Sequence, residues 1–403
     1  MLTVEQALDE ILSRVRPLGT ERVEVLGALG RILAEPIVSR RVIPPWPNSS
    51  MDGYALRADD TREDGVELTV VGRVAAGALP ARALRLGEAM RIFTGAPLPD
   101  GADAVVPQED VTAEGDRVRV PARVERGAFV RPVGEDVRAG DVVLEAGHRV
   151  GPAEVGLLAT LGYARVVVGR RPRVAVLSTG DELADLGREP EGGQVPNTNT
   201  YSLMAQVLEA GGEPVNLGVA RDDVDAIEGR VRWGMAADVV VSSAGVSVGE
   251  LDLVREALVR CGAELHLWQV SMRPGKPITF GSLQGRPVFG LPGNPVSAMV
   301  TFEVFVRPAL LQMAGARALD RPRIRARALA AIANPGPRRG YLRVTLAPEA
   351  SGWGARLTGD QGSAILRSMV AADGLAVLEG DTRVPAGGAL DVIVLRPLEV
   401  RAR

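Results

Sequence analysis

Val4, Ala7, Leu8, Ile11, Leu12 and Val15 recur at three- and four-residue intervals, so the chain opens with an amphipathic helix. Thr3 and Gln6 have capping-box spacing at its start, and Arg16-Pro17-Leu18-Gly19 ends it. A second short helix is expected over about 27–33, stopping before Pro36. From about 40 to 150 the apolar runs shorten. Segments 67–75, 89–93, 104–107 and 116–120 read as strands separated by Gly- and Pro-rich turns, giving a strand-rich module.

From about 171 the rhythm changes. A strand over 174–178 leads into Thr179-Gly180-Asp181-Glu182, and a helix over 200–210 is stopped by Gly211-Gly212. A strand over 214–219 runs through Arg221-Asp222-Asp223 into a helix reaching about Met235. Strand 238–243, a glycine-rich loop and helix 251–261 follow. Strand 287–290 then passes through Leu291-Pro292-Gly293-Asn294 into a long helix from Pro295 to about Met313. Asn294 suits an N-cap and Pro295 the first helical position. Strands alternating with helices at these lengths predict an α/β domain with a mostly parallel sheet and helices on both faces. After Arg321 only strands are expected, over 324–332, 341–346, 355–358, 375–378 and 389–395, which suits a small β-barrel.

Composition narrows the chemistry. A length of 403 residues predicts several domains, and with aromatics at 3% the cores must be aliphatic. The net charge of −3 comes from interspersed charges with no basic block, which argues against nucleic-acid and membrane surfaces. Cys261 is the sole cysteine, so an internal disulfide and a Cys-rich zinc site are excluded, and a buried apolar role is expected for it. His148 and His266 are too isolated for a histidine metal site. The N-terminus lacks an apolar signal core and no membrane-spanning stretch of 18 residues is expected, so a cytoplasmic protein is anticipated.

Of 47 basic residues one is a lysine, Lys276, in the run Met272-Arg273-Pro274-Gly275-Lys276-Pro277. Lysine offers phosphate a compact charge on a flexible stem, and this one stands on a loop stiffened by Gly and Pro. Ligands of open parallel sheets collect at the carboxyl ends of the strands. Three loops there combine glycine with hydroxyl or amide side chains. They are Ser178-Thr179-Gly180-Asp181-Glu182, Ser242-Ser243-Ala244-Gly245-Val246-Ser247-Val248-Gly249 and Leu291-Pro292-Gly293-Asn294-Pro295. Taken singly each is an ordinary turn; together, with Lys276, they favour an anion or phosphate pocket. Glu182, Asp222, Asp223, Glu250 and Asp252 follow strand ends in the same domain, a supply of oxygen ligands suited to Mg²⁺. Outside this domain, Asn48-Ser49-Ser50-Met51-Asp52-Gly53-Tyr54-Ala55, Phe93-Thr94-Gly95-Ala96 and Arg131-Pro132-Val133-Gly134-Glu135-Asp136 are polar turns that spacing alone does not distinguish from ordinary β-turns.

The Asn48–Ala55 run resembles a signature of the molybdopterin molybdenumtransferases, the MoeA-type enzymes and the gephyrin E domain. So do Ile92 to Ala96, Arg131 to Asp136, Ser178 to Leu183, Gly245 to Glu250, Pro274 to Pro277 and Leu291 to Ala298, in the family's order. The resemblance implies four domains: 1–20 with 141–171, 21–140, 172–318 and 319–403. It implies an elongated homodimer whose site lies between the α/β domain of one subunit and the N-terminal modules of the other. The implied reaction takes adenylylated molybdopterin and molybdate, releases AMP with Mg²⁺ support, and leaves molybdenum on the dithiolene. Glu182, Asp222 and Asp252 would position Mg²⁺ or water; Asp52, Thr94 and Asp136 would join them as catalytic groups. Substrate contacts would come from Arg131, Ser178, Thr179, Gly180, Ser243, Gly245, Ser247, Gly249, Arg273, Gly275, Lys276, Pro292, Gly293 and Asn294, and towards the C-terminus from Arg339 and Ser363, within Arg338-Arg339 and Gln361-Gly362-Ser363, which resemble family positions near the molybdate site. The upstream adenylyltransferase and molybdoenzyme chaperones are the implied protein partners.

Three positions depart from the family pattern. Ala244 stands where glycine is usual, and Gln269 and Arg273 stand where lysines are common, Arg273 keeping the charge. Two other functions use the same fold: an adenylyltransferase making the adenylylated pterin, for which a lone α/β domain would suffice, and a partner-binding scaffold, which would need none of the acidic and glycine loops.

Overall fold

The computed structural model describes residues 1–243 and 253–398. It divides into two compact units: Met1–Glu35, Ala146–Gly156 and Ala164–Arg403 form the first, Pro36–Glu145 and Leu157–Tyr163 the second.

The first unit begins with α1, Val4–Arg14, whose capping box forms as expected: Gln6 N donates to Thr3 Oγ1 at 3.2 Å and Thr3 N to Gln6 Oε1 at 3.0 Å. The expected helix over 27–33 does not form. A single 3-10 turn, Val25–Ala28, ends before Gly30, whose φ of 76° breaks any helix, and Ile32 and Leu33 continue as extended backbone bridged to Arg149 and Val168. The apolar spacing there reflects burial of an extended segment.

The central sheet contains β1 (Arg173–Thr179), β2 (Glu213–Ala220), β3 (Val239–Ser243), β4 (Glu264–Gln269), β5 (Pro277–Leu283) and β6 (Arg286–Leu291). Their order is β2-β1-β3-β6-β5-β4; the first four are parallel, and β5 and β4 are antiparallel additions not anticipated from sequence. Successive residues point to opposite faces, and both faces are apolar. Val174, Val176, Val239 and Val241 join a core with α1, α2 (Thr198–Glu209) and the Pro295 helix. Ala175, Leu177 and Val240 join a second core with α3 (Val224–Gly234) and α4 (Leu253–Arg260). Each such valine contributes roughly 1.5–3 kcal/mol on burial, so Val176→Asp would break the sheet at its centre. Cys261 is half-buried against the second core, and that burial raises its thiol pKa.

The long helix α5, Pro295–Met313, carries a π-helical segment over Phe302–Val306. Contrary to the expectation of no membrane-length apolar stretch, its 19 residues are long and apolar enough to cross a bilayer, yet 78% of that stretch is buried inside the unit. A helix apolar on all sides is what a core position demands. The C-terminal strands β7 (Arg323–Ala328), β8 (Arg339–Glu349), β9 (Gly352–Leu357), β10 (Gly374–Leu378) and β11 (Ala389–Val394) close into a barrel in the order β8-β9-β7-β11-β10-β8. A short helix, α6 (Leu366–Ala371), precedes β10.

The second unit is built on a curled six-stranded sheet in the order Ala104–Pro107, Gly53–Leu56, Glu88–Ile92, Val66–Val74, Arg117–Val120, Thr112–Glu114. Its four expected strands fall within a residue of their predicted ends.

Candidate functional site

Strands β1, β3 and β6 are consecutive neighbours, so the loops leaving their carboxyl ends lie side by side. Asn199, on the first turn of α2, ties two of them. Its Nδ2 donates to Ser243 Oγ and to the Gly293 carbonyl, each at 2.7 Å. Ser243 Oγ in turn donates to the Pro292 carbonyl at 3.3 Å. Sequence reading missed Asn199, which lies outside the glycine loops that signalled the site. Gly293 and Asn294 are exposed at the rim, and Asn294 occupies the N-cap position without forming the expected side-chain cap, leaving its amide available to a ligand. Gly245, Ser247, Gly249 and Asp252, with Ala244 and Glu250, lie outside the described residues.

The β1 loop is arranged differently. Ser178 and Thr179 are 1% exposed, and the Ser178 hydroxyl is 2.7 Å from that of Thr200. These two side chains lie behind the loop, and a ligand would meet it from Gly180 onward. Glu182 folds back over Gly180, so that a Cβ there would stand 2.5 Å from Glu182 Oε2. Asp222 N donates to Asp181 Oδ1 at 3.4 Å, bringing the β2 loop alongside. Partial burial and the neighbouring Glu182 and Asp181 charges hold the Asp222 carboxyl above its usual pKa. Asp223, by contrast, caps α3 through Asp225 N. Among the described residues no three acids or histidines form a ready-made metal cage. Crowded carboxylates of this kind suit a hard divalent cation that takes one or two protein oxygens and completes its shell from ligand and water.

Lys276 immediately precedes β5. The β5–β6 register sets Thr279 opposite Gly290, so Lys276 and Gly293 each lie three residues beyond the same end of the pairing. It is half-buried, and its ammonium has no hydrogen bond or ion pair among the described residues. The turn before it requires glycine: Gly275 has φ 106°, and a Cβ there would lie 2.4 Å from Thr301 Oγ1. Arg273 pairs through its backbone with Gly340 of β8, which brings the barrel to this rim. Of the adjacent arginines there, Arg339 is committed elsewhere: it is ion-paired with Glu5 and, at 2.8 Å, with Glu379, and lines a cavity of about 250 Å³ with Val4 and Tyr341. Arg338 has no carboxylate partner among the described residues and donates only to the Met272 carbonyl at 3.3 Å. Of the expected Arg338-Arg339 pair, the guanidinium without a carboxylate partner among the described residues is therefore that of Arg338. Ser363 reaches the same region, its carbonyl accepting from Val296 N at 3.0 Å.

In the second unit, backbone hydrogen bonds join the three polar turns into one surface. Gly95 N and Ser49 N reach Ser49 O and Ala96 O, and Ser50 N reaches Phe129 O. Arg131 stands opposite Asn48, and Asp136 N donates to Ile43 O at 3.0 Å. Asp52 Oδ1 accepts from both Thr94 N and Thr94 Oγ1 at 2.7 Å, and these two bonds, with the nearby Arg91 charge, hold its pKa below the usual value. Arg131 and Asp136 are both exposed.

Known proteins resemble this chain along most of its length. Residues 2–162 match the MoeA N-terminal region (domain I and II), 175–312 a probable molybdopterin binding domain, and 325–395 the MoeA C-terminal region (domain IV). A protein of a Nostoc species named molybdopterin molybdenumtransferase is 37% identical over 398 residues, covering 94% of this chain and 88% of that protein. A Haemophilus influenzae protein of the same name is 38% identical over 325 residues, 80% of each chain. The crystal structure of the molybdopterin biosynthesis moeA protein from Pyrococcus horikoshii superimposes with a TM-score of 0.84 at 30% identity, covering 98% of this chain and all of that one.

Proposed function

This chain belongs to the MoeA family of molybdopterin molybdenumtransferases, a transferase that inserts molybdenum in molybdenum cofactor biosynthesis, and we propose how its loops divide that work. The substrates in this reading are adenylylated molybdopterin and molybdate. Gly180, Gly293, Asn294 and Lys276 hold the phosphates, through backbone amides, the side-chain amide and a point charge. An oxygen nucleophile, water in the simplest case, adds to the adenylyl phosphorus; the phosphoanhydride breaks, AMP leaves, and the pterin keeps its terminal phosphate. The two dithiolene sulfurs, which the adenylyl group does not cover, bind the molybdenum of molybdate, and one of its oxides leaves as water with two protons. Such a displacement depends mainly on placement and charge neutralisation.

The observation that carries this reading is the Asp222 carboxyl, opposed by Glu182 and Asp181 at the end of the sheet where the glycine-bearing loops emerge. Glu182 and Asp222 would hold Mg²⁺, with Asp252 as the family's third candidate, and the ion would supply neutralisation at the phosphoanhydride. Both carboxylates also orient water. Asp52, fixed by Thr94, with Arg131 and Asp136, would serve the α/β loops of a second copy of the chain in a cytoplasmic homodimer. The product would pass to molybdoenzyme chaperones, and the adenylylated pterin would come from an upstream adenylyltransferase. Matches on both sides of the α/β domain favour the metal-inserting step over adenylyl transfer by a lone domain.

Subunit mixing tests this division. Asp52→Ala and Glu182→Ala homodimers should each be inactive, whereas re-associated mixtures should recover about a quarter of wild-type AMP release, because half the dimers carry one intact site. No recovery on mixing, with heterodimers verified, would place both residues in a single protomer's site.

A further inference from the structure

Asn199 does more than bridge two loops, because its hydrogen bonds set the direction of the backbone they reach. The orientation of its amide follows from chemistry. The Gly293 carbonyl can only accept, so the atom 2.7 Å from it is Nδ2, and the other Nδ2 hydrogen goes to Ser243 Oγ at 2.7 Å. Ser243, fully buried, passes its own hydrogen to the Pro292 carbonyl at 3.3 Å. Two successive carbonyls of the loop after β6 are thus turned towards α2. Both peptide bonds are trans, and in a trans peptide the N–H points away from the C=O. The amides of Gly293 and Asn294 therefore face away from Asn199. Both residues are exposed, and neither amide donates to any group among the described residues. Successive unpaired N–H groups on one side of a loop favour an anion. The same turn of α2 also reaches β1, since the Thr200 hydroxyl lies 2.7 Å from that of Ser178, while Asn197 caps the helix by accepting from Thr200 N at 3.3 Å. One helical turn therefore holds the ends of β1 and β3 and the loop after β6.

We propose that Asn199 is a positioning residue for the phosphates of the pterin nucleotide: by holding the Pro292 and Gly293 carbonyls on the α2 side, through Ser243 and directly, it aims the Gly293 and Asn294 amides at the anion. This rests on the reading of that loop as a phosphate contact. Asn199 touches no reacting atom in this role. A side-chain amide supplies two donors from one nitrogen, which neither a hydroxyl nor a carboxylate can do. Without them the 292–294 backbone loses its fixed direction. The loss falls on the ligand that the amides hold, the adenylylated pterin. Molybdate, whose expected contacts lie towards the C-terminus, depends on Asn199 much less.

The test uses the full-length protein and steady-state kinetics, varying adenylylated molybdopterin and molybdate separately. Asn199→Leu keeps the branching and size of the side chain and removes both donors. It should raise KM for the pterin about tenfold while KM for molybdate stays within about twofold. Ser243→Ala, which releases only the Pro292 carbonyl, should raise the pterin KM by a smaller factor. Lys276→Ala removes a charge that the phosphates meet directly, reports on the site itself, and should raise the pterin KM as well. If Lys276→Ala raises it and Asn199→Leu does not, the role of Asn199 is refuted while the phosphate site stands. If neither moves it, the phosphate reading of the loop fails and takes the proposal with it. Equal increases for both substrates would reduce Asn199 to general stability and overturn the proposal. Should Asn199→Leu not fold, an unchanged pterin KM in Asn199→Ala refutes it.

Discussion

The two acidic turns of this protein solve opposite problems. Asp52, in the curled-sheet unit, has its charge satisfied in advance: an amide and a hydroxyl from Thr94 lie 2.7 Å from one oxygen, and its pKa is lowered. Asp222, at the sheet edge of the other unit, is crowded by Glu182 and Asp181, and its pKa is raised. A carboxylate with its bonds already made is an aimed acceptor that keeps one geometry. A carboxylate held against like charges gains most when a cation arrives. The contrast teaches that the protein satisfies the charge of one turn itself and leaves like charges facing one another at the other.

Removing Glu182 should cost most. Glu182→Ala is expected to lower molybdate-dependent AMP release by about a hundredfold or more with the fold intact, measured by product assay beside size-exclusion and circular dichroism. Wild-type turnover in that variant would remove Glu182 from the chemistry. Asp222→Asn should raise the Mg²⁺ concentration for half-maximal activity by about tenfold, a shift that a purely structural Asp222 would not produce. The same titration should show Mg²⁺ activation of the wild type weakening with falling pH at values above the ordinary aspartate range, as Asp222 takes up its proton.

Thr94→Val separates the two turns more finely. It deletes the hydroxyl bond to Asp52 and keeps the amide bond, so the Asp52 pKa should rise towards its model-peptide value of 3.8. The acid limb of the pH–rate profile should move up with it, by less than about one unit, while the Mg²⁺ requirement stays unchanged. A Thr94 variant that altered Mg²⁺ dependence would contradict the separation.

The smallest effect concerns stability. A carboxyl whose folded pKa is raised is penalised where it is ionised in both states, and the penalty is gone below the unfolded value. Asp222→Asn should therefore melt slightly higher than wild type near pH 7, and the difference should vanish once pH falls below 3.8. Thermal melts at the two pH values read this directly; a difference that persists in acid would assign it to some other cause.

Much of this was legible in the sequence. The capping box of α1, the strand–helix alternation from 171 to 313, and the barrel strands follow from spacing, capping chemistry and turn residues, all local. Gly180, Lys276, Gly293 and Asn294 stood out because glycine, lone lysine and polar loop ends have few other uses in that pattern. What escaped was non-local. Strands β4 and β5 flank Lys276 and were not anticipated, because Arg273-Pro274-Gly275 punctuates them and their partners arrive only by folding back. The 27–33 segment has helical apolar spacing, yet Gly30 and the bridges to Arg149 and Val168 make it extended.

By itself the sequence determined the periodicities, the layer type and the chemical character of each loop, because these depend on residues within a few positions of one another. Only the tertiary structure decided which members of each loop are used. It turned Ser178 and Thr179 inward, joined Asn199 to the loops after β3 and β6, and paired Arg339 with Glu5 and Glu379 while Arg338 has no carboxylate partner among the described residues. Charge compensation and burial are pair properties of groups distant along the chain, and they take a value only when the backbone brings those groups within reach.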